Sequence, residues 1–69
     1  MNKGTRVKHK EYGLGTIKEI IFNKSKREMY LVEFDVSNSK LHNGFGIVAD
    51  YKGYFSREDE LEVVDGFVD

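Results

Sequence analysis

The sequence predicts an all-β domain, a five-stranded small barrel over residues 1–64 with one short 3₁₀ turn before the last strand, then a short acidic tail over 65–69. Three observations predict it. Short runs rich in β-branched and aromatic residues alternate in hydropathy at the two-residue period of a strand. Turn-forming clusters of Gly, Asn and Ser separate those runs. No stretch carries a helical period long enough to cross between parallel strands, so α/β folds drop out.

The first element is Thr5-Arg6-Val7-Lys8-His9-Lys10, whose alternation about Val7 reads as a strand. Glu11-Tyr12-Gly13-Leu14-Gly15 follows as a turn, where paired glycines supply backbone angles that strain other residues. The same glycines fall short of a phosphate-cradling pattern, because G-x-G-x-x-G is incomplete and no helix follows. Thr16 to Phe22 is the long second strand, with Ile17, Ile20 and Phe22 as its inward set. Strict alternation from Ile17 would bury Glu19, so the pattern predicts a β-bulge at Lys18-Glu19.

Asn23-Lys24-Ser25-Lys26-Arg27 is a polar, cationic hairpin tip. In Met29-Tyr30-Leu31-Val32-Glu33-Phe34-Asp35, the third strand, Tyr30, Val32 and Phe34 share the inward face. Leu31, Glu33 and Asp35 then point outward, and Leu31 is expected to be exposed. Residues 36–50 carry no period and hold turn formers at Ser37-Asn38-Ser39 and Asn43-Gly44-Phe45-Gly46. A connection of that length in so small a domain is often functional or mobile. Tyr51-Lys52-Gly53-Tyr54-Phe55 reads as a short strand with Phe55 toward the core. Ser56-Arg57-Glu58-Asp59 fits a capping box with Ser56 as N-cap, and Leu61-Glu62-Val63-Val64 closes the sheet. Five strands with a helical turn before the last describe an SH3-like barrel.

Several of these stretches together carry a resemblance. Gly13-Leu14-Gly15-Thr16-Ile17, Leu31-Val32-Glu33-Phe34-Asp35, Leu41-His42-Asn43-Gly44-Phe45-Gly46, Gly53-Tyr54-Phe55 and Glu60-Leu61-Glu62 resemble small uncharacterised SH3-like proteins of Gram-positive phages and prophages. The likeness spans Thr5 to Val64, with a weaker one to the Mib/Herc, Tudor and KOW barrels. It implies the fold, and a phage, prophage or bacterial setting, more than an activity. Those relatives often carry tryptophan in the strand matching Gly53-Tyr54-Phe55, and this chain has none.

Size and composition limit the chemistry. A chain of 69 residues makes one domain, which buries only about 60% of its unfolded surface. The chain has no cysteine, so neither a disulfide nor a thiolate zinc site can staple it, as suits a reducing cytoplasm. No apolar run approaches the roughly 18 residues of a membrane span. Met1-Asn2-Lys3-Gly4 leads into a strand without an apolar signal region, and the expectation is a cytoplasmic protein with no membrane association. The net charge of −1 conceals a polarity: residues 1–27 carry +6 and residues 28–69 carry −7. Such asymmetry points to an electrostatically steered partner, or to two halves that neutralise each other side by side.

The expected function is a non-enzymatic binding module without cofactor or metal. His9, His42, Asp35 and Asp50 lack metal-ligand spacing, and no cleft for paired carboxylates is expected in so small a barrel. His9 is expected on the surface or rim, and His42 as a loop residue that orders the Asn43-Gly44 turn. A protein partner is the leading reading, engaged by Tyr12, Phe45, Tyr51, Tyr54 and His42. The second reading is weak nucleic-acid binding through a cationic stripe of Lys8, Lys10 and Lys18 near the tip residues Lys24, Lys26 and Arg27. A monomer or weak self-association between basic and acidic faces completes the expectations.

Overall fold

In the computed structural model, residues 1–64 are described; the expected tail over 65–69, with Phe67, lies outside them. The strands are β1 (Arg6–His9), β2 (Gly13–Phe22), β3 (Glu28–Phe34), β4 (Gly53–Ser56) and β5 (Leu61–Val63). One 3₁₀ turn, η1 (Glu58–Glu60), precedes β5. All pairings are antiparallel in a single sheet of order β4-β3-β2-β1-β5. The sheet is open: β4 and β5 are its edges, and closure into a barrel is not seen.

The two-residue period fixes which side chains meet. Val7, Ile17, Tyr30, Val32 and Phe34 project from one face and, with Leu41, form the buried core. Met1, Tyr12, Ile20, Tyr54 and Leu61 pack against it. The expected bulge is present, for the β2–β3 register shifts between Ile17 and Glu19. It turns Glu19 out and Ile20 in. Phe22 shares the inward face but extends past the end of the core and is 66% exposed. An inward position is buried only where something lies opposite it.

Both glycines of the first turn have a physical reason. Gly13 has φ +83, in the left-handed region that costs other residues about 1–2 kcal/mol. Gly15 has ordinary extended geometry, but a Cβ there would lie 2.6 Å from Val32 Cγ1 and 2.8 Å from the Glu33 carbonyl oxygen. Only a bare backbone lets β2 approach β3 at that point.

Other expectations need correction. Leu31 projects from the outer face, yet it is wholly buried, because the β3–β4 connection folds over it and sets Gly44 against its side chain. Tyr54, opposite Val32, packs on the core, whereas Phe55, opposite Leu31, lies on the outer face. The N-cap of η1 is Arg57, whose N–H donates to Glu60 Oε1 at 2.9 Å; Ser56 lies one residue earlier, fully buried at the end of β4.

Charge is neutralised partly across the two halves of the chain. Arg6 donates from both terminal nitrogens to Asp35, at 2.9 and 2.7 Å, and from Nη1 to Thr16 Oγ1 at 2.8 Å. That fork ties β1 and β2 to the end of β3. It raises the Arg6 guanidinium and lowers the Asp35 carboxyl from their ordinary values, chiefly through the hydrogen bonds. Lys18 meets Glu33 at 3.6 Å. Tyr30 donates its hydroxyl to Glu28 at 2.6 Å, and this bond, with burial, pushes its ionisation up to about 12.

Candidate functional site

The long β3–β4 connection is the part of the chain without regular structure, yet its backbone is held at many points. Asn38 and Asn43 start its turns: their carbonyl oxygens accept from Leu41 at 2.9 Å and from Gly46 at 3.0 Å. Asn38 Oδ1 also accepts from the Lys40 N–H at 2.9 Å. His42 pairs with Gly53 in an isolated bridge, so the connection runs briefly as a neighbour of β4. The His42 imidazole accepts the Gly44 N–H at Nδ1, 2.9 Å, which orders the Asn43-Gly44 turn as expected. Leu41 and Val48 are buried and anchor the loop from beneath.

This loop carries its aromatic residues outward. Phe45 is 89% exposed and Tyr51 is 58% exposed. Both have left-handed backbone, with φ 61 and 63. Bulky side chains rarely adopt that conformation, and it persists only where the surrounding structure over-determines it. Phe55 on β4 has the Phe45 ring at 5.7 Å and the His42 ring at 5.5 Å. Ile47, also on the loop, is 51% exposed. A cleft is lined by Leu41, His42, Asn43, Asp50 and Tyr51, where Asn43 Nδ2 donates to Asp50 Oδ1 at 3.2 Å.

Of the residues expected to meet a protein partner, the structure thus gathers His42, Phe45 and Tyr51 on one loop. Tyr12 lies apart from that loop, whereas Tyr54 also has the His42 ring at 6.3 Å. The Tyr12 and Tyr54 rings lie 5.2 Å apart in a cluster with His9 and Phe34, half-buried against the core. Phe55, expected in the core, is instead half-buried on the outer face. The β3–β4 register would have revealed it, since pairing Leu31 with Phe55 puts both on the outer face.

His9 is also corrected: it is only 3% exposed rather than on the rim. Its Nδ1 accepts the Glu11 N–H at 2.9 Å, the same device by which His42 holds Gly44. With Nδ1 accepting, the proton of the neutral ring sits on Nε2, which is buried among the aromatic rings without a partner. Among the described residues no group of three or more His, Cys, Asp or Glu could hold a metal ion. Both imidazoles bond to backbone amides rather than to a hydroxyl they could activate.

The cationic residues do not form one stripe. Lys8 pairs with Leu14 near the start of β2, whereas the tip begins after Phe22, roughly 26 Å away at about 3.3 Å per strand residue. Lys10 lies just beyond β1, at that same remote end. Lys18, between them, is engaged by Glu33. Lys24, Lys26 and Arg27 are exposed and enter no ion pair among the described residues. What remains of the expected cationic surface is the tip.

No protein-family model, curated protein or solved structure matches this chain. Among the described residues no helix is long and apolar enough to cross a membrane.

Proposed function

We propose that this protein is a non-enzymatic binding module that engages another protein through the aromatic loop between β3 and β4, with His42, Phe45, Tyr51 and Phe55 as its contact residues. One observation carries the reading. Two large aromatic side chains stand exposed on left-handed backbone within one hydrogen-bonded loop. Backbone strain of this kind, when held by the fold, is a recurrent mark of ligand clamps. Exposed aromatics on a rigid mount supply contact area at low entropic cost, which is how interface anchors work. The antiparallel order with β5 beside β1 and a 3₁₀ turn before β5 is compatible with an SH3-like barrel, and we read the open sheet as a variant of it. The resemblance to phage and prophage barrels supplies the setting, bacterial and cytoplasmic.

The tip cations, which enter no ion pair among the described residues, favour a second reading, weak binding of nucleic acid through Lys24, Lys26 and Arg27. Each phosphate contact releases counterions, so affinity would fall with salt at a log–log slope near −0.7 per contact for single strands. A pull-down from bacterial lysate, with and without nuclease, tests both. Specific bands that survive nuclease and vanish for a Phe45→Ala, Tyr51→Ala double variant support the protein partner. Bands lost with nuclease and with charge reversal at the tip support nucleic acid. Bands indifferent to the double variant overturn the assignment of the loop.

A further inference from the structure

The end of the β2–β3 hairpin presents an unpaired sheet edge, and its position follows from strand lengths. β1 faces only the first residues of β2, with Arg6 opposite Thr16. The preceding turn adds two bonds at Ile17, whose N–H donates to the Thr5 carbonyl at 3.0 Å and whose carbonyl accepts from Gly4 at 2.7 Å. There the backbone pairing ends among the described residues, although the Lys3 ammonium still reaches Glu19 Oε2 at 3.4 Å. Beyond the bulge, the Asn23 N–H donates to the Arg27 carbonyl, so 23 and 27 are a hydrogen-bonded pair. Bonded and non-bonded pairs alternate along an antiparallel ladder. Ile21 opposite Met29 and Glu19 opposite Leu31 therefore bond to β3, while Ile20 and Phe22 turn their N–H and C=O groups to the vacant side.

The side chains along this edge are apolar and accessible. Ile21 is 41% exposed on the outer face, and Phe22 overhangs a cleft lined by Lys26, Arg27 and Arg57 and by Glu28, Glu58 and Asp59. A β-branched edge of this kind is a template for another strand, and natural sheets usually blunt it with charge, proline or a bulge. Here the bulge lies before the open stretch rather than within it. Charge is instead gathered at one end, as Lys24, Lys26 and Arg27, which enter no ion pair among the described residues.

We propose that this edge is a strand-addition site for an extended acidic peptide segment of a partner protein, with alternate apolar side chains. The segment pairs its backbone with Ile20 and Phe22, sets its alternate apolar side chains on the inward face beside Phe22, and places a carboxylate near the tip cations. Charge complementarity selects this occupant. Pairing two copies edge to edge, with Ile20 facing Phe22 of a second copy, brings Lys18 alongside Lys24, a like-charge contact that disfavours self-association. A nucleic acid could answer the cations but not the strand-spaced alternation of donors and acceptors. The site is separate from the aromatic loop and stands independently of it.

The test titrates the protein with a labelled peptide of alternating valine and glutamate, a matching valine–lysine peptide and oligothymidine, read by fluorescence anisotropy. The valine–glutamate peptide is expected to bind and the valine–lysine peptide not. Phe22→Pro deletes a donor that is unused in the free chain, at an edge position where proline is tolerated. It should weaken binding at least about tenfold. Amide hydrogen exchange on the unaltered protein gives a readout that needs no variant: Ile20 and Phe22 should gain protection when the peptide is added. Absence of binding up to about millimolar peptide, no gain of protection at Ile20 and Phe22, preference for oligothymidine, or a dimer that Phe22→Pro dissolves would each overturn the proposal.

Discussion

Phe34 shows how much one side chain carries here. It is 1% exposed, sits between Gly15 and the His9–Tyr12 rings, and belongs to a core of few residues. Phe34→Ala should cost about 3–5 kcal/mol, comparable with the whole stability of such a domain, and a thermal melt by circular dichroism should show it largely unfolded. Its neighbour Glu33 faces the other way and makes a 3.6 Å ion pair and a 3.2 Å bond from the Ala49 N–H. Glu33→Gln should cost under about 1 kcal/mol by the same melt. Tyr30 adds a titration. Its pKa of about 12 lies above the ordinary tyrosine value, so the folded chain holds that proton after the unfolded chain has released it. Stability from this group is therefore intact below about pH 10 and lost between about 10 and 12. Absorbance near 295 nm should show one tyrosine ionising last, and Tyr30→Phe should abolish that late step.

At the scale of elements, turns and loops divide into those that need glycine and those that store strain without it. Gly15→Ala pushes a methyl group into Val32 and the β3 backbone, while Gly13→Ala meets open space and only the left-handed penalty. The first should therefore lower the melting temperature more than the second, which costs about 1–2 kcal/mol. In the β3–β4 loop the sign reverses. Tyr51→Gly relieves left-handed strain worth about 1–2 kcal/mol, which offsets the roughly 0.4–1 kcal/mol that glycine adds to unfolded-chain entropy. Its melting temperature should not fall, even as partner binding is lost. A clear drop would mean that the Tyr51 ring stabilises the fold rather than waiting for a ligand.

Across the whole molecule, the Arg6–Asp35 fork joins the basic and acidic halves through three strands. Asp35 is held below its ordinary pKa, so its contribution is complete at neutral pH and lost as pH falls through the depressed value. Because the pair is partly exposed, it is worth at most about 1 kcal/mol. Asp35→Asn should flatten the acid limb of stability against pH, measured by urea unfolding, without changing the neutral plateau by more than that amount. The tip cations Lys24, Lys26 and Arg27 enter no ion pair among the described residues, and the two candidate surfaces differ in character: an aromatic loop over β4, and an apolar edge with cations beside it at the end of β2.

The all-β class, the inward Tyr30-Val32-Phe34 face, the bulge at Lys18-Glu19, the cationic tip and the turn-ordering role of His42 were legible in residue order alone. Each is local: hydrophobic period, turn chemistry and a side chain reaching two residues ahead require no knowledge of neighbours. Burial is not local. Leu31 is buried because the loop lays Gly44, thirteen positions further along the chain, on it, and Phe22 is exposed because it extends past the end of the core. Phe55 and Tyr54 exchanged roles through register with β3, and His9 entered the core because Tyr12, Phe34 and Tyr54 converge on it. Alternation decides on which face a side chain lies; only the tertiary fold decides whether anything covers that face.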